Sequence, residues 1–239
     1  MIPFDIDRIR RAFPTRTIDY HASVDSTMAS AAGHPVGHVV IADEQTAGQG
    51  RHGHTWYSAA GDGIYCSLVL PQTPLLTLAL GLATHTAIFE ACGMVCDLRW
   101  PNDVLLGERK VAGILVQAAG QNAIAGIGIN VNHTAFPDDV ASLATSMRIA
   151  AGRPIYREEI LLALLPAIDT LIAEDKAAIL ASFTHLSSYA FGRRVHVEQP
   201  DGVIEGTTIG LDPDGYLMVR RDDGTDTAIL AGGVRAARS

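Results

Sequence analysis

The sequence predicts an α/β fold with one central sheet, followed by a small C-terminal β-barrel. Strand-like and helix-like segments alternate up to about residue 186, whereas only short strand patterns follow Ser187. Hydrophobic residues make up 48% and charged residues 18% of the 239 residues, which is typical of a globular chain that buries a sizeable core. These observations favour one large domain with a small appendage.

Five apolar segments in the first part of the chain are predicted strands of the central sheet. Several are apolar throughout, which indicates strands that are buried on both faces. Gly126 and Gly128 would weaken the last strand unless a ligand or another backbone packs closely on it. The five segments are residues 38–43, 63–70, 95–100, 110–118 and 123–132.

Two longer segments are predicted helices. Residues 75–92 form an apolar run that ends at Gly93, as buried helices often do. Polar residues at 84–86 and 90 interrupt this run, so it is not predicted to span a membrane. The second helix is predicted from about Arg157 to Glu174, with apolar residues along one stripe, and Pro166 is expected to bend it.

The last part of the chain is predicted to form the strands of the barrel. Asp-Gly turns separate these strands, at residues 200–202, 212–215 and 222–224. The strand-like segments are residues 194–199, 203–212, 216–221 and 227–232.

Charge and cysteine content argue against several function classes. The formal net charge is −8 and the 18 basic residues are scattered, so nucleic acid is not an expected partner. The N-terminus has no signal-peptide pattern, and three cysteines without a CxxC pair fit a reducing cytoplasm. Cys92, Cys96 and His85 are metal-ligand residue types, but their place in or beside an apolar helical stretch favours small core residues.

A glycine-rich loop at residues 47–56 matches the dinucleotide-binding pattern at Gly48, Gly50 and Gly53. That pattern requires a helix directly after the loop and an acidic residue about 20 positions on, and neither follows here. Glycines around Arg51 also suit a lid over an anion, because bare backbone N–H groups and a guanidinium bind phosphate or carboxylate. A flexible surface loop with an incidental arginine fits this stretch equally well.

A second polar group lies in the stretch 99–117. Asn102 and Asp103 follow a buried strand, and Lys110 opens the next one, so an amide, a carboxylate and an ammonium group are expected within one hairpin. Taken singly, each also fits a turn or a solvated lysine. Asn130, at the end of the last predicted strand of the sheet, carries an amide that can bind a phosphate or a hydrated magnesium ion.

Five motifs follow one another along the chain. They are VDST (24–27), QTAGQGRHG (45–53), RWPNDVLLGERKVAGILVQ (99–117), GIGINVN (126–132) and ATSM (144–147). Together they resemble the catalytic domain of biotin–protein ligases. The GxGRxG loop, the WPND sequence and the RK-x-AGIL sequence form a specific combination at these separations, and the resemblance covers nearly the whole chain.

The resemblance implies the fold and the reaction. It implies an α/β (α+β) catalytic domain with a central mixed sheet at residues 1–187 and an SH3-like β-barrel at residues 188–239. Members of the family form biotinyl-5′-AMP from biotin and ATP with Mg²⁺, then biotinylate a lysine of the biotin carboxyl carrier protein of acetyl-CoA carboxylase. Lipoate and octanoate ligases share the fold, but the WPND and RK-x-AGIL sequences favour biotin.

The expected form is a cytoplasmic ligase with no DNA or membrane partner. Too few residues precede VDST for the N-terminal DNA-binding module that some members of the family carry. The sequence leaves open whether the chain forms a homodimer.

The same resemblance assigns roles to individual residues. Arg51 and Lys110 are expected to neutralise the anions that meet in the first step, and Asp103 to act as a general base or an orienting group. The glycine loop is expected to close over the adenylate and exclude water. The residues expected to contact biotin are Ser26, Thr27, Met28, Gln45, Gln49, Gly50, Arg51, Lys110, Gly113 and Gly126. Those expected to contact ATP are Gly48, Arg51, Trp56, Asn102, Lys110 and Asn130, and no protein metal ligand is expected because Mg²⁺ accompanies ATP.

Some positions depart from the family pattern, and Ser26 has a second interpretation as a helix N-cap. The departures are Gln49 for arginine, Met28 for asparagine, Arg99 for lysine and Gly233 for glutamate. Gln49 and Gly233 motivate an alternative function, a catalytically weakened biotinyl-AMP binding protein. A C-terminal arginine is expected to contact the nucleotide, and both Arg235 and Arg238 fit.

Overall fold

A seven-stranded mixed sheet forms the centre of the first part of the chain, as predicted. The computed structural model describes residues 3–199 and 202–237. The strands are β1 (Ile18–His21), β2 (Val39–Ala42), β3 (Gly63–Pro71), β4 (Asp97–Arg99), β5 (Asp103–Leu106), β6 (Arg109–Ala119) and β7 (Asn122–Asn130). Their order is β1-β2-β3-β7-β6-β5-β4, with β1 and β2 parallel and the other neighbours antiparallel.

The structure adds two strands that the sequence pattern does not predict. β1 is an edge strand with polar residues such as Asp19, and it needs no apolar run because only its first residue is fully buried. β5 begins at Asp103, which the sequence pattern places in a turn; the turn itself takes only residues 100–102. β4 is shorter than the predicted strand 95–100, because the turn begins at residue 100 and residues 95 and 96 are irregular.

Six helices accompany the sheet in the described residues. They are α1 (Ile6–Ala12), α2 (Thr27–Ala31), α3 (Leu76–Cys92), α4 (Met147–Ala151), α5 (Arg157–Ile172) and α6 (Lys176–Leu186). α3 is buried, packs against α5 and ends at Gly93 with φ 69°, as predicted for a glycine C-cap. α5 continues through Pro166 and ends at Ile172, and the predicted bend stays a prediction. The N-cap interpretation of Ser26 anticipates α2, whereas the sequence pattern does not predict α1, α4 and α6.

Within the described residues, no helix combines the length and the apolar character needed to cross a bilayer.

A second, five-stranded antiparallel sheet follows, and it confirms the predicted all-β region. Its strands are β8 (Phe191–Gln199), β9 (Gly202–Leu211), β10 (Leu217–Arg220), β11 (Asp226–Ile229) and β12 (Gly233–Ala236), in the order β11-β10-β9-β8-β12. β12 is not predicted by the sequence pattern, and most of the predicted turn at 200–202 lies outside the described residues. The indole N–H of Trp100 donates to the Gly215 carbonyl at 2.9 Å, which joins the two sheets. The boundary at 187/188 stays a prediction.

Candidate functional site

A cleft lies on the central sheet, between the glycine loop and strands β6 and β7. Its wall combines aliphatic strand residues with a few amides, hydroxyls and cations, a mixture that is typical of small-molecule sites. Every residue that the resemblance assigns to biotin lies on this wall, namely Ser26, Thr27, Met28, Gln45, Gln49, Gly50, Arg51, Lys110, Gly113 and Gly126. Trp56 and Asn102 of the predicted ATP set also line it, as do Cys66, Ile114, Leu115, Ile127 and Gly128.

The hydroxyl of Ser26 is buried at the cleft and has no hydrogen-bond partner among the described residues. Ser26 occupies the N-cap position of α2, but its side chain makes no capping hydrogen bond. Ser26 therefore occupies the N-cap position that the sequence suggests, but its hydroxyl does not cap the helix. Because an unsatisfied buried hydroxyl costs stability, this group is expected to serve a ligand.

A chain of hydrogen bonds holds Gln45 against the start of α2. The backbone N–H and the hydroxyl of Thr27 donate to Gln45 Oε1 at 2.9 and 3.0 Å. Gln45 Nε2 donates to Ser58 Oγ at 3.0 Å, and Thr27 Oγ1 lies 2.8 Å from Ser67 Oγ. Ser58 and Ser67 are positioning residues that the motifs do not identify, because a single serine in a loop or an apolar strand carries no pattern.

Two side chains cover the glycines of the cleft floor. A Cβ at Gly126 would lie 2.8 Å from Met28 Sδ, and a Cβ at Gly128 would overlap the Trp56 indole. At Gly113, a Cβ would lie 2.9 Å from the same indole. The sequence predicts a ligand or another backbone at Gly126 and Gly128, and the structure places the side chains of Met28 and Trp56 there. Glycine is required because any Cβ would collide with them.

The indole ring of Trp56 lies beside the ammonium group of Lys110 in the cleft. Lys110 Nζ lies 5.2 Å from the centroid of the Trp56 ring, within the range of a cation–π interaction. The indole N–H of Trp56 is buried and has no acceptor among the described residues. This N–H is therefore a second polar group at the cleft without a protein partner.

A carboxylate that is shared with Arg99 holds Lys110 in place. Lys110 Nζ lies 2.5 Å from Asp103 Oδ1, and Arg99 Nη2 donates to Asp103 Oδ2 at 2.6 Å. Burial alone would raise the pKa of Asp103, but the charges and hydrogen bonds of Lys110 and Arg99 outweigh it and lower that pKa. Asp103 and Lys110 are thus in direct contact, as the hairpin prediction expects. A carboxylate held in its charged form by two cations is a weak proton acceptor at neutral pH.

Arg51 lies on the glycine loop and has neutral partners. Its Nη1 donates to Asn102 Oδ1 at 3.2 Å and to the Gly232 carbonyl at 3.4 Å. Within residues 3–199 and 202–237 it forms no ion pair with a carboxylate. Burial lowers the pKa of Arg51 and the charge of Asp103 opposes this, yet a guanidinium stays protonated at neutral pH. Its charge is therefore available to an anionic ligand in the cleft.

The glycine loop does not have the geometry of a dinucleotide-binding turn. A single 3₁₀ turn (Arg51–Gly53) follows Gly50, and the next regular element is strand β3, not a helix. Gly48 is buried, and a Cβ there would lie 2.7 Å from the Trp56 carbonyl oxygen. Gly48 therefore shapes the loop but does not line the cleft.

Other predicted residues lie off the cleft wall. Asn130 is buried at the end of β7, opposite Gly63 of β3, so the structure does not bring it to the cleft as predicted. Arg235 is exposed on β12, and Arg238 lies outside the described residues. The C-terminal sheet reaches the loop through the Gly232 carbonyl, a contact that no side-chain motif could reveal.

The cysteines provide apolar packing. Cys66 lines the cleft, and burial raises the pKa of its thiol to about 12, so the thiol stays neutral. His85, Cys92 and Cys96 do not form a metal-ligand group in the described part of the chain. The His/Cys/Asp/Glu group that lies close enough for one ion is Asp19, His34 and His38, which the sequence motifs do not identify.

Two family models match the chain. Residues 20–133 match the Biotin/lipoate A/B protein ligase family, and residues 190–234 match the Biotin protein ligase C terminal domain. The chain is 33% identical over 229 residues to the bifunctional ligase/repressor BirA of Bacillus subtilis. This alignment covers 86% of this chain and 70% of BirA. It is 32% identical over 237 residues to the biotin–[acetyl-CoA-carboxylase] ligase of Mycobacterium tuberculosis, with 91% and 88% covered.

A solved structure is similar over almost the whole length. The chain superposes on the biotin protein ligase of Aquifex aeolicus, in complex with biotin and ATP, with a TM-score of 0.84 and 30% identity. The match covers 93% of this chain and 99% of that chain, so it includes both sheets.

Proposed function

The chain belongs to the biotin protein ligase family, and on that premise we propose that it makes biotinyl-5′-AMP from biotin and ATP and transfers the biotinyl group to a carrier lysine. The observation that carries this proposal is the pair of cations at one cleft, Lys110 fixed by Asp103 and Arg51 with neutral partners. A carboxylate and a triphosphate repel each other, so a site that joins them requires fixed positive charge.

The polar end of the cleft suits the ureido ring of biotin. Ser26 offers a hydroxyl with no protein partner, and the hydrogen bonds between Thr27 and Gln45 fix the orientation of the Gln45 amide. Met28 and Trp56 add apolar surface for the fused rings and the aliphatic tail. Met28, where the family has asparagine, makes this wall more apolar.

In the first step, an oxygen of the biotin carboxylate bonds to the α-phosphorus of ATP, and pyrophosphate leaves. Negative charge grows on the phosphoryl oxygens as the bond forms. The planar guanidinium of Arg51 and the ammonium of Lys110 stabilise that charge. Both groups are partly withdrawn from water, which strengthens their effect.

In the second step, the neutral amine of the acceptor lysine attacks the carbonyl carbon of the adenylate. AMP leaves, and the amine loses its proton to the departing phosphate or to water. Asp103 acts here as a positioning residue for Lys110 and not as the general base, because two cations already hold its charge. Of the two roles that the resemblance allows for Asp103, the geometry favours the orienting one.

Mg²⁺ is proposed to enter together with ATP. The described residues that line the cleft include no aspartate or glutamate, and the nearby Asp103 is committed to Lys110 and Arg99. Because Mg²⁺ prefers oxygen ligands, the phosphates and water are the donors that fit this site. The ion would neutralise phosphate charge there.

The proposed acceptor is the biotin carboxyl carrier protein of acetyl-CoA carboxylase. The name of the Mycobacterium tuberculosis relative, at 32% identity, supports this choice. A cytoplasmic location is part of the proposal, because Cys66, Cys92 and Cys96 are all free thiols and fit a reducing compartment.

The test is biotin-dependent exchange of pyrophosphate into ATP with Mg²⁺, followed by transfer to a purified carrier domain. We expect exchange that requires biotin and falls by about 100- to 1000-fold in Arg51→Ala and Lys110→Ala. Arg109→Ala is the matched control, because Arg109 is an exposed cation beside Lys110 that does not line the cleft.

Two outcomes would redirect the proposal. Biotin binding without exchange favours the alternative binding protein, in which the neutral Gln49 replaces a cation of the loop. Exchange without transfer to the carrier domain would support the proposed adenylation step and contradict the proposed acceptor.

A further inference from the structure

We propose that Asp19, His34 and His38 form a binding site for a divalent transition-metal ion, of which Zn²⁺ is the representative. The three residues lie at one edge of the central sheet: Asp19 on β1, His38 directly before β2, and His34 in the connection from α2 to β2. None of them lines the cleft, so this site is separate from the proposed ligase site and does not rest on it.

The three side chains already lie close together. One potential ligand atom from each lies within 4.8 Å of those of the other two. His38 Nε2 is 2.8 Å from Asp19 Oδ2, and the His34 and His38 rings stack with centroids 3.9 Å apart and 12° between their planes. Ligands at about 2.1 Å from a tetrahedral zinc ion lie about 3.4 Å from one another, so an ion would replace the hydrogen bond between His38 and Asp19 and move those two atoms slightly apart. The His34 ring would rotate out of the stack, because an imidazole nitrogen binds a metal through the lone pair in the plane of its ring. His34 is exposed, and its ring is therefore free to make that rotation.

The backbone holds the two imidazoles in this arrangement. The N–H of His38 donates to the Pro35 carbonyl at 3.2 Å, which closes a tight turn after His34. The N–H of Gly37 donates to the Val69 carbonyl at 2.8 Å and so fastens the turn to β3. Gly37 has φ 91°, a conformation that glycine adopts without strain. The turn therefore brings His34 back over His38 before any ligand binds.

Ligand type and exposure both fit a transition metal. Imidazole nitrogens with one carboxylate oxygen are a donor set that Zn²⁺, Ni²⁺ and Cu²⁺ accept more readily than Mg²⁺ does. His38 is 5% exposed, whereas the side chain of Asp19 is 44% exposed. One side of the site is thus fixed in the protein and the other is open to water, which can complete the coordination sphere. A bound ion would cross-link β1 to the turn before β2.

The experiment uses the full chain without an affinity tag, titrated with Zn²⁺ in competition with a chromogenic chelator. We expect one Zn²⁺ per chain in the wild type and at least about tenfold weaker binding in His34→Ala and in Asp19→Asn. Saturating Zn²⁺ should raise Tm by about 5 °C in the wild type and by much less in these variants. His185→Ala, which removes an exposed histidine of α6, is the matched control and should bind like the wild type.

These substitutions avoid the buried His38, whose loss could itself unfold the chain. X-ray absorption at the zinc edge gives the second measurement, and nitrogen and oxygen scatterers at about 2.0–2.1 Å are expected. Sulfur scatterers at about 2.3 Å would overturn the proposal, because they would place the ion on the cysteines. Undiminished binding in both variants, or no saturable binding by the wild type, would overturn it as well.

Discussion

The two sides of the cleft hold their functional groups in different ways. The strand side, formed by β3, β6, β7 and the start of α2, fixes its groups through buried contacts such as those of Thr27 with Gln45 and of Lys110 with Asp103. The loop side, residues 49–56, presents Arg51 through hydrogen bonds of 3.2 and 3.4 Å to neutral acceptors. The groups proposed to recognise biotin therefore lie mainly in regular structure, whereas one of the two proposed reacting-site cations lies on a loop and has neutral hydrogen-bond partners.

The largest effect should come from removing the cation on each side. Lys110→Met and Arg51→Met are each expected to lower pyrophosphate exchange by about 100- to 1000-fold. Only Lys110→Met should also lower the free energy of unfolding, by about 1–3 kcal/mol, because it leaves Asp103 with a single cationic partner. Exchange assays and denaturant unfolding measure both quantities. An equal loss of stability in the two variants would contradict the distinction between the sides.

The next effect concerns a buried histidine that supports the strand side. His133 Nε2 lies 3.1 Å from the Tyr65 hydroxyl, and burial lowers the pKa of His133 to about 4. An unfolded histidine titrates near pH 6.5, so the unfolded state binds the proton first as the pH falls. As the pH falls from 6.5 to 4, protonation of this histidine should therefore lower the free energy of unfolding by about 3 kcal/mol. Below pH 4 it should lower that free energy no further.

The check compares the wild type with His133→Phe by denaturant unfolding at several pH values in that range. The variant should lose less stability than the wild type as the pH falls. His185→Ala, at an exposed position, should keep the wild-type dependence. If the free energy of unfolding falls equally with pH in the wild type and in His133→Phe, protonation of this histidine does not destabilise the protein in acid.

A smaller effect tests how firmly the loop side packs on the strand side. Gly128→Ala places a Cβ in the Trp56 indole and should cost about 1–3 kcal/mol of stability. Gly81→Ala on α3 is the control, because its nearest neighbour would be 3.9 Å away. If Gly128→Ala is neutral in denaturant unfolding, Trp56 moves aside freely and the two sides are not packed together.

The smallest effect separates a ligand group from a structural one. Ser26→Ala removes a hydroxyl without a protein partner, so stability should stay unchanged or rise while biotin binds about tenfold more weakly. Thr27→Val removes a hydroxyl that contacts Gln45 and Ser67, and it should lower stability. Calorimetry of biotin binding and of thermal unfolding gives both values. Lower stability with unchanged affinity in Ser26→Ala would identify a capping role instead.

The sequence predicts which charged groups meet on the strand side better than it predicts the contacts from distant segments that orient them. Asp103 and Lys110 are brought together as expected, because short apolar strands flank one tight hairpin and leave little freedom for the polar groups between them. Asn130 is buried off the cleft wall, because strand position alone does not say which way an end residue faces, and its predicted contact with ATP stays a prediction. Ser67 and the Gly232 carbonyl depend on how distant segments meet, which local patterns do not encode.

The two tryptophans lie in different environments, so their fluorescence can report on separate parts of the molecule. Trp56 stands at the cleft beside Lys110, with an indole N–H that no described residue accepts. Trp100 is buried and bonded to Gly215, between the two sheets. In a Trp100→Phe protein, the remaining tryptophan fluorescence would come from the cleft alone. Ligand arrival and loop rearrangement would then be followed in real time without any attached dye.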